Sequence, residues 1–180
     1  MRWYWIDKFV EFESGHRAVA VKNVTLAEQH LHDYQPGFPM MPVTLVVEGL
    51  AQTGGLLVGE VNHFEERVVL AKVSHAKFHF SPRPGDTLRY TATIDDIKES
   101  GAFITGTSYV GDRLQGEVQL CFAHLDERNG GSGLFPPADF LRMLRVLGVF
   151  EVGCKGDGSP IDIPERLAEA ERISNAEPVA

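Results

Sequence analysis

Cysteine is scarce, with only Cys121 and Cys154 in 180 residues and no paired spacing between them. A zinc site needs Cys or His ligands clustered at characteristic spacing, so no metal ligand is assigned. Two distant thiols also argue against a disulfide framework and for a reducing compartment. Long apolar runs are missing as well. No stretch approaches the roughly 18 apolar residues of a membrane span, so a membrane is not an expected partner. The segment from Met1 to Asp7 lacks the apolar core and small-residue cleavage site of a signal peptide, so a cytoplasmic location is expected. Basic charge is short too: 17 Lys and Arg face 25 Asp and Glu, a net charge of −8. Binding a phosphate backbone demands a basic surface, so nucleic acid is excluded as an expected partner.

What remains is a chain that can bury a core, 43% hydrophobic and 23% charged, of a length suited to one domain with an appendage. Residues 5–25 read as a β-hairpin turning at Ser14 and Gly15. His30 to Pro42 follows as a turn-rich stretch with three prolines and a glycine, expected to be an ordered loop rather than a helix.

A helix is expected from about residue 42 to 59, opening at Pro42, where a missing N–H does no harm. Val43, Leu45, Val46, Val47, Leu50, Ala51, Leu56, Leu57 and Val58 leave almost no polar face, and a helix apolar all round is normally buried. Thr44, Glu48 and Gln52, spaced i, i+4, i+8, form one narrow polar stripe along it. Glu48 stands out. A carboxylate inside an apolar helix is costly unless paired, hydrogen-bonded or protonated. It serves either as an acceptor for a neighbouring loop or subunit, or as a working acid.

From residue 67 to 124 the period changes to two. Lys72, Ser74, Ala76, Phe78 and Phe80 share one strand face; Leu88, Tyr90, Ala92 and Ile94 share another; residues 103–109 and 114–124 continue the series. Turn residues at 82–86, 99–101 and 111–112 separate four strands, which read as an antiparallel meander. The class is α+β: a curved antiparallel sheet wrapped around one buried helix. Residues 129–133 read as a Gly-rich linker dividing a domain of residues 1–128 from an extension of residues 129–180. In the extension, Phe140, Leu141, Leu144 and Leu147 are at helical spacing, and a charged helix is expected over 164–176. The extension is expected to pack on the sheet or on a partner subunit. Lys72, Lys77 and Arg83 could contact an acidic partner protein, but scattered surface charge of this kind is usually only solvated, and that reading is preferred.

The string HDYQPGFPMMPVTLVVEGLAQ, residues 32–52, resembles the signature of the (3R)-hydroxyacyl-acyl-carrier-protein dehydratases. That signature runs Gly-His-Phe-Pro-Gly-x-Pro-x-Met-Pro-Gly, then an apolar stretch, then Glu-Ala-x-Ala-Gln. Pro36, Gly37, Pro39, Met41, Pro42, Glu48, Ala51 and Gln52 fall on it, and the Pro-Gly-Asp turn falls on Pro84 to Asp86. The resemblance covers roughly residues 6–125. It implies a hot-dog fold, no cofactor, and a homodimer or higher even oligomer. The implied substrate is an acyl thioester on acyl carrier protein or coenzyme A. The implied chemistry is loss of water from a (3R)-hydroxyacyl thioester to give a trans-2-enoyl thioester. Glu48 takes the place of the carboxyl that assists departure of the hydroxyl, and the backbone amides of Met40 and Val43 that of the donors to the thioester carbonyl. Gly37 and Gln52 belong to the same substrate site.

The family's catalytic His falls on Tyr34, the Gly before it on Asp33, and the Gly after Met-Pro on Val43. A phenol with an ordinary pKa of about 10 is a poor base near neutral pH. In an extended backbone His32 shares a side with Tyr34 and can replace the base; His30 shares that parity but is the weaker candidate. Alternatively, Tyr34 binds substrate. Three functions stay open: a dehydratase, a non-catalytic acyl-thioester-binding protein or partner subunit, and a thioesterase.

Overall fold

The computed structural model describes residues 3–33, 37–125 and 135–176; Tyr34, Pro36 and the 129–133 linker lie outside them. Strands β1 (Lys8–Glu13) and β2 (Arg17–Asn23) form the expected hairpin. Its turn places Gly15 at φ 69°, which suits a residue without Cβ. The stretch expected to be all loop opens instead with a helical turn, α1 (His30–Asp33). Proline blocks a helix only where it stands, and none occurs before Pro36. Helix α2 (Val43–Val61) follows, with Pro42 at its N-cap. Then come β3 (Arg67–Phe78), β4 (Thr87–Lys98), β5 (Gly101–Val110) and β6 (Arg113–Leu125).

The sheet order is β3-β6-β5-β4-β2-β1-β7, where β7 is Gly153–Cys154. The four-strand meander is therefore corrected to three. β4, β5 and β6 run consecutively, but β3 pairs with β6 and β4 with β2. The linker between β3 and β4 explains the exchange. Pro82 O accepts from Met41 N (2.8 Å), Val24 O from Gly85 N (2.9 Å), and Asp86 O from Val24 N (2.9 Å). These bonds fasten the linker beside the end of β2, so β4 starts there. The expected face of β3 is corrected as well. Register shifts between Leu70 and Lys72 and between Val73 and His75 interrupt the alternation. Leu70, Val73, Ala76 and Phe78 stand opposite Phe122, Leu120, Val118 and Gly116, so they, not Lys72 and Ser74, share the core side.

Helix α2 lies across that side. Val46, Leu50, Leu57 and Val58 are fully buried in one core with Ala20, Tyr90, Ala92, Ile104, Leu120 and Phe122. Each buried Leu of this kind is worth roughly 1.5–3 kcal/mol. The helix is not buried all round, as its composition suggested: Thr44 is exposed and Val43, Leu45, Val47 and Leu56 only half-buried. A sheet covers one side of a helix and leaves the other. Contact is closest at Gly49, where a Cβ would meet the Tyr90 ring at 2.5 Å and Trp5 O at 2.9 Å.

The C-terminal extension joins the same core. α3 (Pro137–Val146) and α4 (Val149–Val152) replace a single run of helical spacing, because Gly148 at φ 73° breaks it. β7 then adds a parallel pairing to β1, which the sequence reading lacked. α5 (Glu165–Ala176) packs on α3 through Arg145–Glu171 (3.1 Å) and through Arg142 to Asn175 (2.7 Å). Leu141, Leu144, Ile161 and Leu167 are buried with the sheet residues. Among the described residues no helix is long and apolar enough to cross a membrane.

The contact at Gly49 yields a stability test. Gly49→Ala should lower unfolding free energy by about 1–3 kcal/mol, as overpacking does, despite the better helix propensity of Ala. Urea denaturation checks it; an unchanged midpoint would show that Tyr90 gives way freely.

Candidate active site

Inward parity along β2 runs Ala18, Ala20, Lys22, so the lysine is driven into the interior, 5% exposed. It is not stranded there. Its Nζ donates to Glu28 Oε1 (2.6 Å), Asn23 O (2.8 Å) and Asp7 Oδ1 (3.4 Å). Asp7 Oδ2 accepts from Asn23 N (2.7 Å), and Glu28 Oε2 from Thr25 N (3.2 Å). This group pins the segment that leads into α1 to the hairpin beneath it. A buried charge of this kind survives only when fully paired. The sequence reading passed over it, although a lysine at an apolar parity in a strand is a visible signal. Tyr90 stands near these charges, and burial, then Asp7 and Glu28, push its phenol to a higher pKa.

Above that base, Gln52 organises the polar stripe of α2. Its Nε2 donates to Glu48 Oε1 (2.9 Å) and to Trp3 O (2.8 Å), while its Oε1 accepts from Trp5 N (2.8 Å). Glu48 is half-buried on the open side of α2 with one oxygen oriented by the amide. Sequence reasoning paired Glu48 with Gln52 but missed that residues 3–5 are the strap they hold. Trp5 packs edge-on against Trp3 (5.0 Å) and against His30 (4.9 Å). His30 Nε2 is buried with no hydrogen-bond partner among the described residues. Burial holds its pKa below the usual histidine range, with Glu28 pulling upward and Lys22 downward.

His32 is exposed on α1, and its Nε2 lies 2.7 Å from Leu26 O. A carbonyl partner requires Nε2–H, so the neutral ring would carry its lone pair on Nδ1. Because residues 30–33 are helical, the strand parity that aligned His32 with Tyr34 does not apply. Gly37 adopts φ 80°, a conformation L side chains rarely take. Met40 lines a cleft with Phe80 and Arg83, and Met41 is wholly buried. Val43 opens α2, whose N-cap, Pro42, makes no side-chain hydrogen bond, and among the described residues no side chain caps the first-turn amides. The structure therefore gathers Glu48, Gln52 and residues 3–5 into one cluster and sets Met40 and Val43 at the start of the same helix.

The strap gives a direct readout, since Trp3 and Trp5 are the two tryptophans of the chain. Gln52→Ala removes three hydrogen bonds at once. It should shift tryptophan emission to the red and cost about 1–3 kcal/mol in chemical denaturation. Unaltered emission would mean that the strap is held by ring packing alone.

Comparison with known proteins shows the family. The FabA-like domain model matches residues 3–114. A 3-hydroxyacyl-[acyl-carrier-protein] dehydratase of Koribacter versatilis is 39% identical over 117 residues, 64% of this chain and 75% of that protein. One of Thermomicrobium roseum is 36% identical over 122 residues, 67% and 82% of the two chains. Among solved structures, a Streptococcus mutans protein bound to acetyl CoA superposes with TM-score 0.57 over 69% of this chain and 93% of its own, at 15% identity, a likeness of fold alone. The curved sheet around α2 is the hot-dog fold, and over the residues that build it and carry Glu48 the chain belongs to the FabA-like family.

Proposed function

We propose that this protein is a dehydratase that removes water from (3R)-hydroxyacyl thioesters, on acyl carrier protein or coenzyme A, to give trans-2-enoyl thioesters in fatty-acid metabolism. The observation that carries the reading is Glu48, half-buried on α2 and oriented by Gln52, one turn along from uncapped helix amides. The dehydratases named above support it, as do the retained Pro36, Gly37, Pro39, Met41 and Pro42.

In this mechanism the amides of Met40 and Val43 donate to the thioester carbonyl and draw charge onto its oxygen, which acidifies the C2 proton. A base takes that proton, and the C2–H electron pair becomes the C2–C3 double bond. The C3–O bond breaks as Glu48, in its acid form, gives its proton to the departing hydroxyl, so that water leaves. The proton held by the base then returns the site to its starting state through solvent. His32, with its lone pair on Nδ1, and Tyr34 are the two candidates for the base. Gly37 gives the loop its turn, and Gln52 keeps Glu48 facing the substrate.

We assign a cytoplasmic homodimer, or a higher even oligomer, in which residues 1–128 form the catalytic unit and 129–180 an extension. β3 supports the pairing: it is a twelve-residue edge strand, and Leu70 and Val73 on its core side are 38% and 40% exposed. A second copy aligned along β3 would continue the sheet and cover them. The unpaired Cys121 and Cys154 suit a reducing compartment.

Tyr34 favours a second reading, a thioester-binding protein that kept the site and lost the base. The assay is incubation with 3-hydroxyacyl and trans-2-enoyl thioesters of several chain lengths, with product analysis. Glu48→Gln should reduce interconversion at least about a hundredfold, the usual weight of one acid–base group, with the fold intact by circular dichroism. Loss of activity in His32→Ala with retention in Tyr34→Phe makes His32 the base, and the reverse makes it Tyr34. Saturable binding without turnover establishes the second reading, and free thiol as product establishes a thioesterase.

A further inference from the structure

Beside the loop that leads into α2 lies a cleft of about 600 Å³, with Met40, Phe80, Ser81, Arg83, Asp86 and Arg113 in its wall. Its two guanidinium groups are unlike most others in this acidic chain. Arg17 and Arg89 are both bound by Glu11, Arg142 by Asp139, Arg145 by Glu171 and Arg172 by Glu165. Arg83 and Arg113 have no carboxylate partner among the described residues. Each lies on an aromatic ring instead: Arg83 Cζ is 5.0 Å from the centroid of Phe38, and Arg113 Cζ 4.3 Å from that of Phe80. Stacking fixes the plane of a guanidinium and leaves its N–H edge for an anion.

The platform under Arg113 is fixed as well. Gln115, fully buried, donates from Nε2 to Phe80 O (2.6 Å) and accepts from Ser108 Oγ. Asp86, the acid in the wall, is engaged in its own turn, accepting from Arg83 N (2.8 Å). The cleft also adjoins the proposed carbonyl site. Met40 belongs to both, and Met41 N donates to Pro82 O (2.8 Å), fastening one wall to the other. A thioester whose carbonyl sits at the start of α2 has this cleft open to its carrier arm beside Met40.

We propose that Arg83 and Arg113 together bind the phosphate at the far end of a pantetheine arm. The assignment rests on the thioester reading of the Glu48 site and extends it to the carrier. Two guanidinium groups match a phosphate by charge-assisted, bidentate hydrogen bonds. Both acyl carrier protein and coenzyme A present that phosphate.

The test compares binding of 4′-phosphopantetheine with that of pantetheine by calorimetry, so it does not depend on turnover. The wild-type protein should prefer the phosphorylated form by roughly tenfold or more, the effect of one or two hydrogen bonds to a charged group. Arg83→Ala with Arg113→Ala should erase the preference, and Arg83→Lys with Arg113→Lys should restore part of it. Equal affinities for the two compounds in the wild-type protein would overturn the assignment, whether or not the protein is a dehydratase. Thioesters of coenzyme A, acyl carrier protein and N-acetylcysteamine then separate the sources. The alanine pair should weaken the first two alike relative to the phosphate-free third. A loss confined to the carrier protein would place the arginines on a protein surface contact, and an equal loss on all three would give them a role in the fold; either result overturns the phosphate site.

Discussion

Helix α2 reaches its depth on the sheet because residue 49 has no side chain. The Tyr90 ring and the Trp5 carbonyl occupy the space a methyl group would need. That approach fixes the height and rotation of the helix, and with them the direction of Glu48 on the preceding residue. It also brings Gln52 within reach of residues 3–5. The dehydratase signature has Ala after its Glu, where this chain has Gly49.

Around this contact the polar groups fall into two arrangements with different demands. Lys22 is buried while Asp7 stays exposed and Glu28 half-buried, and the lysine persists because both acids hold it. Glu48 and Gln52 face the open side of the helix and hold one another, which orients a carboxyl without sealing it from solvent. The first arrangement holds the entry segment against the sheet. The second leaves a carboxyl half-buried at the surface of the single chain, on the side of α2 that the sheet leaves uncovered.

Much of the fold was legible in the sequence, because repeating patterns report local structure. The hairpin turn at Gly15, the helix opening at Pro42 and strands β4 to β6 all follow from apolar period and turn residues. Pairing was not legible. The meander failed at β3 because hydrogen bonds from Met41, Val24 and Gly85 to the linker, made across long sequence separations, carry β4 to β2. The face of β3 was misread because a bulge inserts a residue without changing the composition of the strand. Likewise His32 and Tyr34 shared a parity that holds only in an extended chain, and residues 30–33 are helical.

For the site, the sequence by itself determined which groups are present: Glu48 and Gln52 on one helical stripe, the Pro-Gly-x-Pro-x-Met-Pro entry, and a tyrosine where the related signature has histidine. Chemistry of this kind lies in residue identity and short spacing, which a chain carries in any conformation. The tertiary structure alone decided what surrounds those groups. It brought Trp3 and Trp5 across to Gln52, set Lys22 among its acids, and drew Arg83 and Arg113 into one cleft at the open end of the β4–β5 hairpin. Such neighbours are made by strand pairing and helix depth, contacts between distant residues that no local pattern encodes.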